Sequence, residues 1–273
     1  ELGIEIHMLV GNHTAFYKNT NEINTPELLL KEYENISIYR EVEDIKFGGM
    51  HATMLPWINS ENEKEVSEHL KQSNAKVLFG HLELNGFVAH VGHVFEGGLD
   101  KKVFKKYEKV FSGHFHHKSS QGNVTYLGNP YHLYWNDYGE SRGFHIFDTE
   151  TFELEFIQNP YSIFMKLHYD DAHEDYENYD FSNCKNCYVK VYVQHREDQY
   201  TFDKVIHNLY DSGAHEVKVI EDQDYIDEVE NVNVEAEDTL SLLQNYLDEV
   251  NYDDLSSLKK TVKSLYLEAL EMS

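Results

Sequence analysis

The sequence predicts an α/β fold: a two-layer or sandwich-type core, then a small β-α-β unit, then two amphipathic helices. Three observations lead there. Strands and helices alternate up to Lys109, and strands then dominate as far as Pro160. Beyond Pro160 the chain turns acidic, with six acids and no lysine or arginine from Asp170 to Asp180. Near the C-terminus, apolar residues recur at helical spacings of three and four.

The elements follow in order. Residues 4–10 read as a strand ending in Gly11-Asn12-His13. Thr25-Pro26 opens a helix, with threonine as N-cap and proline at the first position, running through Leu28, Leu29 and Tyr33. Short strands are expected at 36–39, 45–47 and 52–55. Ser60-x-x-Glu63 is a capping box for a helix to about residue 72, and 76–79 is a buried strand ending in Gly80-His81. Residues 101–109 read as helical and lead into the strand Val110-Phe111; 124–127, 143–147 and 152–157 resemble a meander closing a sheet.

The acidic half is read the same way. Residues 188–193, a helix near 202–210 and residues 216–220 suggest the β-α-β unit. Residues 221–238 hold nine acids in eighteen residues with no base, the pattern of a solvated linker. The first terminal helix places Leu240, Leu243, Leu247 and Val250 on one stripe. The second, capped by Asp253 or Asp254, uses Leu255, Leu258, Val262, Leu265 and Ala269. These stripes suit either their own domain or the helices of a partner. The division expected is 1–160, 161–222, 223–238 and 239–273.

Composition narrows the function. A chain of 273 residues with 41% hydrophobic content buries a substantial core. Its net charge of −26 argues against a general binder of nucleic acid or anionic membrane. Lysines 101, 102, 105, 106 and 109, with Lys118, form a local concentration that is either a phosphate-contacting edge or an ordinary solvated face. No stretch approaches the ~18–20 apolar residues of a membrane span, and no signal peptide is found, so a soluble cytoplasmic protein is expected. Cys184 and Cys187, the only cysteines, make a lone Cys-x-x-Cys and read as two thiols in a reducing compartment.

The chemistry sits where strands stop. Three strands end in Gly11-Asn12-His13, Gly80-His81 and Gly113-His114-Phe115-His116. Glycine lets the backbone turn sharply there, so the next side chain points into the cleft beyond the carboxyl end of the sheet. If the strands are neighbours in one sheet, four histidines and an asparagine converge. Imidazoles with an amide oxygen suit a divalent first-row ion such as manganese, iron or zinc.

The order Gly-Asn-His, Gly-His, Gly-His-x-His resembles that of calcineurin-like binuclear metallophosphoesterases. The surrounding segments (Leu55-Pro-Trp57, Gly80-His-x-Glu-Leu-Asn-Gly86, Tyr126-Leu-Gly-Asn-Pro130, Arg142-Gly-Phe144 and Phe147-Asp-Thr-Glu-Thr151) are similar to the nuclease subunits of the SbcD and meiotic-recombination type, including those of T-even phages. The likeness is strong over residues 6–159 and looser, in element order only, beyond. It implies a two-sheet sandwich flanked by helices, a small α+β capping domain, and C-terminal helices. It implies that Asn12, His81 and His114 bind one metal ion and His116 the other, with His13 as the acid-base residue. The ions would be two Mn2+, with Mg2+ or another divalent ion as substitutes. The implied reaction is hydrolysis of DNA phosphodiesters in recombination and double-strand-break repair. The implied partners are an SMC-like ATPase, whose coiled-coil base receives residues 239–273, and a second copy of the chain in a homodimer. His117, His90 and His93 have no counterpart and read as surface histidines.

Two departures stand out. The family's Asp-x-His and Gly-Asp-x-x-Asp motifs, which precede Gly-Asn-His, have no room ahead of Gly11, so the chain reads as lacking the first ~60–80 residues of such a core, about two β-α units. As written it would be poorly active alone. Asp171-Ala172-His173 spells Asp-x-His but falls in the acidic stretch and is treated as chance. Thr14 stands where the family has an acid, which weakens support for His13. Two alternatives remain: a small-molecule phosphoesterase on the same core, and a catalytically inactive interaction subunit.

Overall fold

The computed structural model describes residues 3–47, 49–90, 93–221 and the single positions Leu247, Leu258 and Val262. The expected linker and all but these three positions of the terminal helices lie outside the described residues. The three positions are helical, and Leu247 is buried.

The chain opens with β1 (Ile6–Leu9), α1 (Thr25–Leu30), β2 (Ile36–Tyr39), β3 (Glu43–Phe47), β4 (Met50–Leu55), α2 (Glu63–Gln72) and β5 (Val77–Gly80). A short antiparallel pair, β6 (Val88–His90) and β7 (His93–Val94), precedes β8 (Lys109–Ser112), β9 (Ser119–Gln121) and β10 (Val124–Tyr126). Six of these strands make one sheet in the order β3-β4-β5-β8-β10-β9. The inner strands β4, β5, β8 and β10 are parallel, and each edge strand is antiparallel to its neighbour.

Alternation along the central strands explains why they read as unbroken apolar runs. Leu78 and Val110 face a core shared with Val66 and Leu70 of α2 and with Tyr126. Val77, Phe79 and Phe111 face the other way. There they meet the antiparallel hairpin of β11 (Gly143–Phe147) and β12 (Leu154–Gln158), with the rings of Phe111 and Phe147 4.8 Å apart. The sheet is covered on both faces, which gives the layered α/β arrangement.

Several boundaries differ from the sequence reading. Asn24, not Thr25, caps α1: its side chain accepts from the Glu27 amide, and Leu28 and Leu29 are left exposed. The Ser60 box does not form. Asn62 is the residue before α2, and its amide oxygen is taken by the Asn59 backbone. Residues 101–104 make only a single 3-10 turn, because Asp100 caps Lys102 and the chain must straighten to enter β8. The expected meander divides, with β10 joining the main sheet and β11–β12 lying on its face.

A second sheet follows. Strands β13 (Phe164–Asp170), β14 (Tyr188–His195) and β15 (Glu216–Ile220) are all parallel, and α3 (Gln199–Asp211) crosses from β14 to β15. The β-α-β unit is as expected, with β13 as an unanticipated third strand. Val191, Tyr169, Phe202 and Leu209 form its core, into which Cys184 and Cys187 are buried as free thiols. Burial pushes both thiols up. Among the described residues, no helix is long and apolar enough to cross a membrane.

Because Phe111 fills the space between sheet and hairpin, Phe111→Ala should cost about 3–5 kcal/mol in urea unfolding. Leu29→Ala, at an exposed position of α1, should stay within about 0.5 kcal/mol of the parent.

Candidate metal centre

Strands β5 and β8 are parallel neighbours with Gly80 opposite Ser112, so their carboxyl ends release His81 and Gly113-His114 at one edge. The Gly113 amide donates to the Gly80 carbonyl at 3.1 Å and carries the pairing one step past the strands. Strand β1 is not part of this sheet: it pairs in parallel with β2 alone. Its end is brought in by the segment after β4. The Trp57 amide donates to the Val10 carbonyl at 2.8 Å, and the His81 amide to the Leu55 carbonyl at 3.1 Å. Leu55-Pro56-Trp57 therefore bridges two strand systems, so the strand ends meet without the single sheet that the sequence reading set as the condition.

The glycines act through space rather than through left-handed turns. None of Gly11, Gly80 and Gly113 has a positive φ; the left-handed residue is His114, at φ 76°. A Cβ on Gly11 would lie 2.9 Å from Cε1 of His81, and one on Gly113 3.4 Å from Nδ1 of the same ring. One imidazole is thus wedged between two bare backbones. His114 pays for its position in backbone strain, of a kind concentrated at functional sites.

Three lone-pair atoms meet there. His81 Nε2 lies 2.8 Å from Asn12 Oδ1 and 3.3 Å from His114 Nδ1. A single ring proton between these atoms satisfies them. A cation with bonds of about 2.0–2.1 Å separates its tetrahedral ligands by about 3.3 Å, so an ion can take the place of that proton with little movement. Burial pushes the His81 imidazole down to about 4, helped by His114 and His13. His114 is lowered mainly by burial, against the opposing charge of Glu83. Neutral rings with free lone pairs are the ligand form of histidine.

His116 occupies the same loop but a different environment. Its ring stacks on Tyr134, with centroids 6.0 Å apart, and it is lowered by burial against the pull of Asp137. The loop itself is pinned by Arg142, whose guanidinium donates to the His116 carbonyl and pairs with Asp137 and with Glu140 at 2.7 Å, Arg142 and Asp137 being buried. Gly128 lies against it: a Cβ there would be 3.0 Å from the His116 carbonyl oxygen. The Arg142 and Gly128 motifs are thus scaffolding for His116.

His13 is exposed at the mouth, close enough to influence the charge of His81, His114 and His116. Thr14 does not support it. Its hydroxyl donates to the Gly11 carbonyl at 3.0 Å and accepts from the Gly11 amide at 2.9 Å, so it closes the loop on itself. His117 is half-buried and paired with Glu140 at 3.0 Å, a correction to its reading as a surface residue. The side chains of His90 and His93 lie outside the description.

Sequence reasoning passed over Glu83. Its Oε1 is 3.6 Å from His114 Nε2 and accepts from the Trp57 indole at 3.4 Å, so a carboxylate backs the outer nitrogen of a ring whose inner nitrogen faces His81. The signal was its position two residues past His81, on the same side of an extended segment. Ser112 and Tyr126 fix that segment by hydrogen bonds at Leu82 and Leu84. His114 and His116 follow the carboxyl end of β8, while the lysines 101–106 precede the strand and so enter at its amino end. There Lys101, Lys102 and Lys106 hold Gln121, Asp100 and the Ser73 carbonyl, as an ordinary surface would.

The chain matches no protein-family model. It is 34% identical over 280 residues to a curated protein, exonuclease subunit 1 of Enterobacteria phage T4; the match covers 99% of this chain and 79% of that protein.

Gly11→Ala should leave the fold intact but weaken divalent-ion binding at least tenfold, read by titration calorimetry, because the added methyl displaces the His81 ring. Acid should also weaken the fold. Unfolded His81 takes its proton near 6.5 and the folded ring only at about 4, so the unfolded chain binds more protons across that window. Stability should therefore fall as pH drops from 6.5 to 4, and His81→Gln should flatten the dependence of the urea midpoint on pH.

Proposed function

The chain belongs to the family of phage exonuclease subunit 1, and from that membership we propose that it is the nuclease-bearing subunit of a recombination enzyme, hydrolysing DNA phosphodiester bonds with two divalent ions of the manganese type. The observation that carries the reading is the convergence of Asn12, His81 and His114 on a point that suits one cation. Identity spread over nearly the whole chain supports it.

In this reading Asn12, His81 and His114 hold one ion and His116 belongs to the second. The bound ions would draw charge from the phosphate and lower the pKa of a water. The residues of the chain do the rest. Glu83 holds the His114 ring with its inner nitrogen toward the ion. Arg142, through the His116 carbonyl, fixes the loop that carries the second ligand. His13, exposed and next to the ligand rings, meets the departing oxygen and gives it a proton. Buried neutral imidazoles keep the site free of competing protons at neutral pH.

Subunit 1 in the relative's name implies an assembly, and we assign the partner role to an SMC-like ATPase that receives residues 239–273, with a second copy of this chain completing a homodimer. The apolar stripe from Leu255 to Ala269 supports that surface. The host cytoplasm is the compartment this function requires.

Manganese titration of this chain, with cleavage of linear duplex DNA followed in the same buffer, tests the assignment. Ion binding with slow cleavage is expected of this chain taken alone; ion binding with no attack on DNA but turnover of a small phosphodiester would replace the substrate. His13→Ala should lower the cleavage rate by about 10²–10⁴ with ion binding unchanged. Loss of the ion in that variant would move His13 into the ligand set.

A further inference from the structure

We propose a second metal site, made of residues other than those of the strand-end centre, in which Asp170, His173 and His195 at the rim of the β13–β14–β15 sheet hold a zinc-class divalent ion. One ligand atom from each of the three lies within 4.8 Å of the others. Asp170 Oδ2 is 2.8 Å from His173 Nδ1 and 3.4 Å from His195 Nδ1. The ligands of a tetrahedral zinc ion stand about 3.3 Å apart, so the ion needs only small ring movements to enter. Two imidazoles and a carboxylate make a three-ligand set with a fourth position open to water.

The backbone explains the meeting. Strands β13 and β14 pair one for one from Phe164 opposite Tyr188 to Tyr169 opposite Val193, and then the register skips, so that Asp170 faces His195 instead of Gln194. An extra residue of this kind re-aims the side chains at the end of a strand. His173 arrives from the turn that follows, in which the Glu174 amide donates to the Asp170 carbonyl at 2.9 Å. The Ala172 amide takes Asp170 Oδ1 at 3.1 Å, leaving Oδ2 to the two rings. Next door, Asp171 accepts from the amides of Glu197 and Asp198 and ties this turn to the loop after His195. Both ligand-bearing loops are thus fixed in place before an ion arrives, which lowers the cost of binding. Asp171-Ala172-His173, set aside as chance in the sequence, lies inside this arrangement, with its neighbour Asp170 as the acid that matters.

The rings are open to solvent, His173 73% and His195 60% exposed, so an ion can come and go, and removing them leaves the core untouched. Desolvation opposes the charge on Asp170, but hydrogen bonds from His173 and His195 outweigh it and hold the carboxyl below its usual range.

The site does not depend on the proposed nuclease reading, and the test keeps the two apart. The whole chain, its His173→Ala/His195→Ala variant and its His81→Ala/His114→Ala variant are titrated with zinc chloride by calorimetry, with cobalt absorption as a second readout. One equivalent of zinc should survive in the His81/His114 variant and bind at least tenfold more weakly in the His173/His195 variant; either single histidine variant should reproduce the loss if the double variant misfolds. Equal stoichiometry and affinity in the parent and the His173/His195 variant would overturn the proposal. So would loss of all zinc in the His81/His114 variant.

Discussion

The centre depends on one close approach: the His81 ring lying against the bare backbones of Gly11 and Gly113. Everything that brings His81 to that place serves it. The parallel pairing of β5 and β8 sets its height, the Leu55 carbonyl fixes its amide, and the Ser112 and Tyr126 hydroxyls hold the residues that follow. Even a methyl at Gly11 would push the ring out of line with Asn12 and His114, whereas one at Gly113 would only rest against it. The three donors meet because backbone, not side chain, forms the walls.

Much of this was legible in the sequence, for identifiable reasons. Strands buried on both faces, such as Val77–Gly80 and Lys109–Ser112, announce themselves as apolar runs that stop at glycine. The ligand candidates follow those stops directly. What stayed hidden was long-range. Nothing near Gly11 says that β1 leaves the main sheet and returns through Trp57, and nothing near Arg142 says that its guanidinium reaches the His116 carbonyl. Helix starts failed where two polar residues competed for the same role, as at Asn24 beside Thr25 and Asn62 beyond Ser60. The part played by glycine was misread as well, because its sequence signature is the same whether it grants a turn or grants room.

Charge is distributed with a similar division. Lys101, Lys102 and Lys106 stand before the amino end of β8 and are engaged in local contacts, while Lys118 follows the histidine run and lies over the Phe156 ring. The strand-end centre is instead a pocket of neutral rings beside two carboxylate-backed supports, Glu83 and the Asp137–Arg142–Glu140 cluster. On the reading proposed above, the bound ions would be the main attraction for an anionic substrate, because Arg142, which holds the His116 loop, is itself paired with Asp137 and Glu140.

The contact between Asn12 and His81 spans 69 positions of sequence, and His114 lies 33 beyond His81. Contacts of such length close late in folding, after the loops between them have been ordered. The proposed ion site at the strand ends therefore forms only when all three segments have met. With only β4 and β5 paired, His81 would stand as an isolated imidazole, without Asn12 or His114 beside it.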